Sequence, residues 1–385
     1  MTGPRPLSVL LAGGGSAGHV NPLLATADAL RRRAPEARLT VLGTREGLEA
    51  DLVPARGYPL RTIEKVPFPR RPGKAALAFP GRLRAVTLEV RRIIADVEAD
   101  VVVGFGGYVS APAYLAARRA GVPVVIHEQN ARPGFANRLG ARFTRHVAVT
   151  FPSTKLPHAR VVGLPLREEI ADLDRQARRA EGLEHFGLVD GPPTLLVFGG
   201  SLGALRLNQA FAGAAADLAA AGVQVLHLTG AGKELDIEPD PAVPYRALAY
   251  TDRMDLAYAV ADLAVCRAGA GTVCELSAVG LPAVYVPLPI GNGEQRLNAA
   301  AVVAAGGGLL VDDAQVTPDW VRSEVIPLVT DRERLELMGR EAAVMGHREA
   351  DDTLAEMVIR AASGEPPPAP EDVVGPPDPV DPVGT

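Results

Sequence analysis

The chain has 385 residues, 47% of them apolar but only 4% aromatic, with 40 glycines and a net charge of −5; that leaves room for two domains and suits parallel sheets covered by helices. Two cysteines, Cys266 and Cys274, exclude a disulfide framework, and no run of about 18 apolar residues is present to span a bilayer. With no signal-peptide pattern at the N-terminus, a reducing cytoplasmic setting is expected.

Residues Leu7–His19 read LSVLLAGGGSAGH: an apolar run, a glycine cluster with a serine, then an amphipathic stretch. That order predicts a buried parallel strand, a tight turn and a helix start. The turn matches G-x-G-x-x-G over Gly13–Gly18, yet the next strand ends Val41-Leu42-Gly43-Thr44, without the acid a dinucleotide site places there. A Walker lysine is missing too, because His19-Val20 follows the glycines. The loop is therefore expected to cradle a phosphate or pyrophosphate at a helix N-terminus, for neither NAD nor ATP in the usual mode. His19 sits where loop becomes helix, and the positive helix end disfavours imidazolium, which helps keep the ring neutral as a proton acceptor. A capping or space-filling histidine is the alternative.

Further strands are expected at Leu39–Leu42, Val101–Val103, Val124–His127 and Val147–Val149, alternating with helical stretches. Such an order predicts a doubly wound parallel sheet with ligands at the carboxyl ends of its strands. Between them, Val66–Arg92 interleaves Phe68, Leu77, Phe79 and Leu83 with Arg70, Arg71, Lys74, Arg82 and Arg84. Its prolines and glycines argue against a long regular helix. Apolar anchors ringed by cations suit an anionic membrane surface, the alternative being a helix with a solvated basic face. Residues 1–160 carry 24 Lys+Arg against 11 Asp+Glu, while the remainder carries 16 against 34. The basic half is expected to meet something anionic; without interleaved stacking aromatics, nucleic acid is disfavoured. His127 ends a strand in IHEQN, whose Glu128 and Asn130 are expected to point into the ligand cleft.

The motif VVGLP (Val161–Pro165) closes this half, and a charged helical stretch, Arg167–His185, follows. Its Asp172-Leu173-Asp174 triplet resembles a metal-binding D-x-D but lies in a helical linker, and no metal site is expected. After Gly191-Pro192-Pro193 the first pattern returns: Thr194–Arg206 reads TLLVFGGSLGALR. Strands are expected at Leu195–Phe198, Val225–Leu228, Leu263–Cys266, Ala283–Val286 and Gly308–Val311. Two strand–glycine–helix units imply two similar α/β domains facing a shared cleft, in an enzyme that brings two substrates together. In AVCRAGAGTVCELSAVGLP (Ala264–Pro282), Thr272 and Glu275 fall on the first turns of a helix. The N–H groups there suit a phosphate and the carboxylate suits paired ribose hydroxyls. In Gly291–Asn298, Glu294, Gln295 and Asn298 suit sugar hydroxyls, or simply a capped helix start. A last charged helix runs to about Arg360, and the Pro-rich acidic tail beyond Gly364 is expected to be disordered.

In this order, GGGSAGHVNP, GFGGYVSAP, HEQN, GGSLGA, CRAGAGTVCEL and GEQRLNA resemble the MurG family, over roughly residues 7–360. The resemblance implies a GT-B glycosyltransferase fold of two Rossmann-like parallel-sheet domains. Residues 1–163 would bind acceptor and membrane, 164–345 would bind UDP-GlcNAc, 346–363 would form a helix packing back on the first domain, and 364–385 would be the tail. It implies an inverting hexosyltransferase that moves GlcNAc from UDP-GlcNAc to the C4 hydroxyl of MurNAc in undecaprenyl-pyrophosphoryl-MurNAc-pentapeptide (lipid I to lipid II), without a cofactor. The setting would be the cytoplasmic face of the cell membrane, peripherally bound, with other cell-wall synthesis proteins as partners. By the same resemblance His19 would be the general base, with Ser16, Ala17 and Gly18 lining the cleft and Asn130 reaching the donor sugar. Arg167 and Ser201 would approach the UDP diphosphate, and Tyr250 with the Thr251 backbone would frame the uracil. Ala270, Gly271, Thr272, Val273, Cys274 and Glu275 would hold phosphate and ribose, and Gln295 with Asn298 the GlcNAc hydroxyls. Ser16-Ala17 stands where the family commonly has Thr-Gly, Leu164 where Asn is common, Leu202 where Gln is usual, and Glu294 where Gln often sits. Other readings are a glycosyltransferase of this fold with a different acceptor, a nicotinamide oxidoreductase, and a non-catalytic nucleotide-sugar sensor.

Overall fold

The structure, a computed structural model, describes residues 5–67, 69, 74–200, 203–233, 235, 237, 242–290 and 292–368. They fall into two compact units, one running up to Arg167 and resuming at Glu349, the other Glu168–Arg348.

The first unit holds the strands β1 (Ser8–Ala12), β2 (Arg38–Gly43), β3 (Leu60–Thr62), β4 (Val101–Gly104), β5 (Val124–Glu128), β6 (His146–Val149) and β7 (Ala159–Val161). They form one parallel sheet in the order β3-β2-β1-β4-β5-β6-β7. Its helices are α1 (Ala17–Arg33), α2 (Glu49–Ala55), α3 (Lys74–Asp96), α4 (Gly107–Ala120) and α5 (Phe135–Gly140). The strands read as continuous apolar runs because both faces are covered. Along β1, Val9 and Leu11 enter a core with α1, while Leu10 and Ala12 enter another with α3 and α4. The terminal helix Ala350–Ala362 completes the first core with Leu354, Met357 and Val358. Arg32 of α1 meets Asp351 there at 2.6 Å.

The long helix α3 is a correction to the sequence reading. It runs 23 residues through Pro80 and Gly81 without interruption. Proline removes one hydrogen bond near the helix start, whereas Val86, Val90, Ile93 and Ile94 bury one full stripe against the sheet. That packing outweighs the local penalty.

The second unit holds β8 (Thr194–Phe198), β9 (Gln224–Leu228), β10 (Tyr245–Leu248), β11 (Leu263–Cys266), β12 (Ala283–Tyr285) and β13 (Gly308–Leu310). All are parallel, in the order β10-β9-β8-β11-β12-β13. Helices α6 (Glu168–Ala171), α7 (Arg175–Phe186), α8 (Leu205–Ala212), α9 (Ala215–Ala220), α10 (Met254–Val260), α11 (Ala270–Ala278) and α12 (Glu294–Ala304) come before short helical turns and the 13-residue helix Arg332–Val344. The stretch expected to be one helical linker breaks between α6 and α7, where the Asp174 carboxylate caps α7 by accepting from Ala177 N–H at 3.0 Å. No group of three or more His, Cys, Asp or Glu among the described residues is arranged to hold a metal. Of the tail, Gly364–Pro368 is described; the Glu365 carbonyl accepts from His146 Nε2 at 3.0 Å. Residues 369–385 lie outside the described residues.

Candidate active site

In the first unit the strand order reverses between β1 and β4, the place where open parallel sheets bind ligands. The two loops leaving those strands meet there. Gly15 adopts φ +91°, a left-handed conformation that favours glycine, and Ser16 is the extended residue opening α1. Ser16 Oγ lies 2.9 Å from Nδ1 of His19. From the other loop, Gly106 at φ +84° packs so near that a Cβ would stand 3.2 Å from His19 Nε2. His19 is half-buried, and burial lowers its pKa below the ordinary 6.5, partly opposed by the negative field of Glu49. The ring is therefore neutral at pH 7. The tautomer that places Nδ1–H on the Ser16 oxygen leaves the Nε2 lone pair for a proton, the state a proton acceptor needs. Ala17 and Gly18 form the first turn of α1 beside it.

Glu128 corrects the sequence reading: it and His127 before it are buried, at 2% and 0% exposure, and neither side chain opens to solvent. Glu128 accepts from Asn130 N–H and Gly134 N–H at 3.0 Å each and from Asn137 Nδ2 at 2.9 Å. Burial raises its pKa while these donors oppose the shift. It braces the loop 130–134, which orients the half-buried Asn130. His127 Nε2 donates to the Gly163 carbonyl at 2.9 Å, and burial lowers its pKa to about 4. A polar chain continues from Asn137, whose Oδ1 accepts from Tyr114 at 2.6 Å.

In the second unit the strand order reverses between β8 and β11, and the sites expected for a donor lie on the loops that follow. Gly203 (φ +65°) lies against the turn after β9; a Cβ there would stand 2.0 Å from the Thr229 carbonyl oxygen. Ser201 lies outside the described residues. After β11, Gly269 leads into α11, whose start no side chain among the described residues caps. The first N–H groups, at Ala270, Gly271 and Thr272, are thus placed for an anion. Val273 turns into the core and Cys274 is half-buried. Glu275, one turn on, accepts from the buried Tyr258 hydroxyl at 2.7 Å. Arg175 holds that tyrosine's own carbonyl, donating from Nε at 3.0 Å. Gln295 Oε1 accepts from Leu288 N–H at 2.9 Å, which leaves its amide N–H groups to donate outward. Asn298 is buried and donates to the Ala268 carbonyl at 3.3 Å, so it ties α12 to the loop after β11. Tyr250 is 70% exposed and Thr251 is buried, its hydroxyl accepting from Arg253 N–H at 3.0 Å. Arg167 is half-buried at the end of the first unit.

Of the cationic apolar segment, Phe68, Arg70 and Arg71 lie outside the described residues, and Lys74 opens α3. Leu77 is 84% exposed, Phe79 packs partly into the core, and Leu83 is half-buried. Arg82 pairs with Glu64 at 2.5 Å, and Arg84 is exposed. No helix among the described residues is long and apolar enough to cross a membrane.

Both halves match models of known domains: residues 9–149 the glycosyltransferase family 28 N-terminal domain, and 194–354 its C-terminal domain. A protein of Leifsonia xyli subsp. xyli, named UDP-N-acetylglucosamine–N-acetylmuramyl-(pentapeptide) pyrophosphoryl-undecaprenol N-acetylglucosamine transferase, is 59% identical over 91% of this chain and 97% of its own length. A protein of the same name from Streptomyces coelicolor is 56% identical over 92% and 98%. The solved structure of MurG from Acinetobacter baumannii superposes with a TM-score of 0.75 at 30% identity, covering 92% of this chain and all of that one. The chain belongs to the MurG family of glycosyltransferases.

Membership gives the architecture as GT-B, built from the two parallel-sheet units. It also sets aside the nicotinamide reading, and the structure supplies a physical reason. Glu49, which packs against Gly43 at the end of β2, is fully buried and bonded to the protein's own loops rather than presented to a ribose, while Glu46 lies exposed in the turn. Glu49, Asn137 and Tyr258 escaped the sequence reading. Glu49 left one trace, a carboxylate closely following Gly43 and Gly47. Asn137 and Tyr258 sit inside helical stretches and left none.

Proposed function

We propose that this chain performs the MurG reaction through a base on its first unit and a donor site on its second. The protein is a UDP-GlcNAc-dependent hexosyltransferase of peptidoglycan synthesis, with the lipid-linked MurNAc pyrophosphate of lipid I as acceptor. His19 Nε2 takes the proton of the MurNAc C4 hydroxyl as its oxygen displaces UDP from the anomeric carbon, inverting the configuration there. General base catalysis of this kind contributes typically about 10²–10⁴-fold. The single observation that carries the reading is His19 itself, neutral and held by Ser16 at the switch point of a parallel sheet.

On the donor side, charge grows on the departing diphosphate. The N-terminus of α11, Arg167 and Ser201 stabilise it electrostatically. Glu275 accepts from the ribose hydroxyls, Gln295 reads the GlcNAc hydroxyls with Asn130 while the buried Asn298 holds the loop after β11, and Tyr250 with the Thr251 backbone frames the uracil. The acceptor's pyrophosphate is drawn to Lys65 and the first turn of α1, beside the loop at Gly14 and Gly15. There a cavity of about 50 Å³ is lined by Lys65, Thr44, Tyr108 and Glu46 as well, and Lys65 Nζ stands 4.7 Å above the Tyr108 ring. Leu77, Arg84 and the basic residues before them seat the first unit on the anionic cytoplasmic face of the membrane, beside other cell-wall synthesis proteins.

The test is UDP release from UDP-GlcNAc with and without a water-soluble lipid I analogue. Release that depends on the acceptor is expected. Binding of UDP-GlcNAc without acceptor-dependent release would mean a nucleotide-sugar sensor, and equal release with other acceptors a different acceptor class.

A further inference from the structure

Glu49, the first residue of α2, is fully buried, and neither the base nor the donor site uses it. Its Oε2 accepts from Gly15 N–H at 2.8 Å, and its Oε1 accepts from both the N–H and the hydroxyl of Thr44 at 2.8 Å. Three glycines make room for it. A Cβ on Gly14, Gly43 or Gly47 would stand 2.3, 2.4 or 2.1 Å from the Glu49 side chain. A buried carboxylate persists only when paired or richly hydrogen-bonded, and this one is bonded by groups that can only donate or are free to. Burial works to raise its pKa, but the donors at Gly15 and Thr44 prevail and the net shift is downward, so it is ionised at pH 7.

We propose that Glu49 is a positioning residue, whose carboxylate ties the turn after β2 to the glycine loop after β1 and thereby places Ser16 and His19 for the acceptor. Dinucleotide-binding domains use an acid near this strand end to hold a ribose. Here Glu49 is turned inward and holds the loop, while Glu46 stays exposed. The Gly15 N–H is consumed by the protein, which leaves the acceptor's anion to Lys65 and the first turn of α1. This inference rests on His19 being the base for its pH arm, though not for its acceptor arm.

The groups facing His19 are few. From its own helix start comes the neutral Ser16 hydroxyl, and from the loop after β4 the Gly106 backbone with the Asn137 amide behind it. Glu128 lies beyond Asn137 and is bonded to it. Glu49, from α2, is the group whose charge raises the His19 pKa against burial.

The experiment compares Glu49→Gln with the unaltered full chain. In the amide, an NH₂ replaces one acceptor oxygen and opposes a donor at Gly15 or Thr44. Expected are a fall of roughly tenfold or more in kcat/KM for the lipid I analogue, an unchanged UDP-GlcNAc Kd by calorimetry, and an acid limb of kcat/KM displaced to lower pH. The limb moves down because the negative charge that favours imidazolium is gone. A lower Tm with acceptor kinetics and acid limb both unmoved overturns the proposal, leaving a purely structural carboxylate. If Glu49→Gln does not fold, Thr44→Val keeps the charge and removes one donor; a severalfold loss in acceptor kcat/KM is then expected, and unchanged kinetics overturns the proposal. Should His19→Ala keep normal turnover, the base reading fails, while the acceptor kinetics of Glu49→Gln still decide the positioning role.

Discussion

The Ser16 hydroxyl and His19 Nδ1 lie 2.9 Å apart within the first turn of one helix. The resemblance places Ser16 on the cleft wall, and there its hydroxyl engages the histidine at Nδ1, which leaves Nε2 as the ring nitrogen without this partner. His19→Ala should lower turnover by about two to four orders of magnitude and leave UDP-GlcNAc affinity unchanged by calorimetry. Ser16→Ala should cost less, roughly three- to tenfold in kcat, as for one ordinary hydrogen bond. Because burial lowers the His19 pKa below 6.5, the acid limb of kcat/KM should lie below that value. A stable His19→Ala variant with near-normal turnover would hand the proton to another group.

The pair Tyr258–Glu275 makes a second prediction. Glu275→Ala should weaken UDP-GlcNAc binding by roughly 1.5–3 kcal/mol, the usual range for a hydrogen bond to a charged group. Tyr258→Phe keeps the ring in the core and removes only the 2.7 Å bond that aims the carboxylate. It should raise the KM for UDP-GlcNAc severalfold with little change in kcat. Equal donor affinity in both variants and the unaltered chain would take Glu275 out of the ribose site.

Each unit buries one neutral histidine. His127 has its pKa lowered to about 4 and His227 to about 3, both by burial. His227 is held between the Tyr245 hydroxyl at 2.7 Å and Asn208 Oδ1 at 3.1 Å. Unfolded, both rings titrate near 6.5. Below that pH the unfolded chain binds protons that the folded chain refuses, so stability is fully present above about 6.5 and falls as pH drops toward 4, at up to about 1.4 kcal/mol per pH unit for each ring. Calorimetric Tm should drop between about pH 7.5 and 5.5; a flat Tm over that interval would mean that both rings take up protons in the folded protein as readily as in the unfolded chain.

Leu77, at 84% exposure on the first turns of α3, is the clearest apolar anchor among the described residues of the cationic segment. Leu77→Ser should reduce binding to vesicles containing anionic lipid while acceptor-dependent UDP release with a water-soluble analogue stays normal. High salt should weaken the remaining binding, as screening of exposed charge requires. Vesicle affinity unmoved by both changes would place the membrane contact elsewhere.

The sequence by itself determined the two sheets, their glycine turns and the family. Strands such as β1, β4, β8 and β11 are covered on both faces, so their burial is written as unbroken apolar runs that local reading detects. The edge strands β3, β7 and β10 have half-exposed patterns and left no such run, and only pairing with a neighbour makes them strands. Pro80 and Gly81 misled because a helix long enough to bury Val86, Val90 and Ile93 tolerates one missing bond near its start. His19 was legible because a helix start and a glycine turn are adjacent in sequence. Tertiary structure alone decided that Glu128 is an internal brace, that Glu49 holds the loop at Gly15, and that Tyr258 aims Glu275. Each of these pairs a polar side chain with groups distant in the chain or across a turn. Strand order, set by the packing of whole helices on the sheets, decides which donors reach which carboxylate.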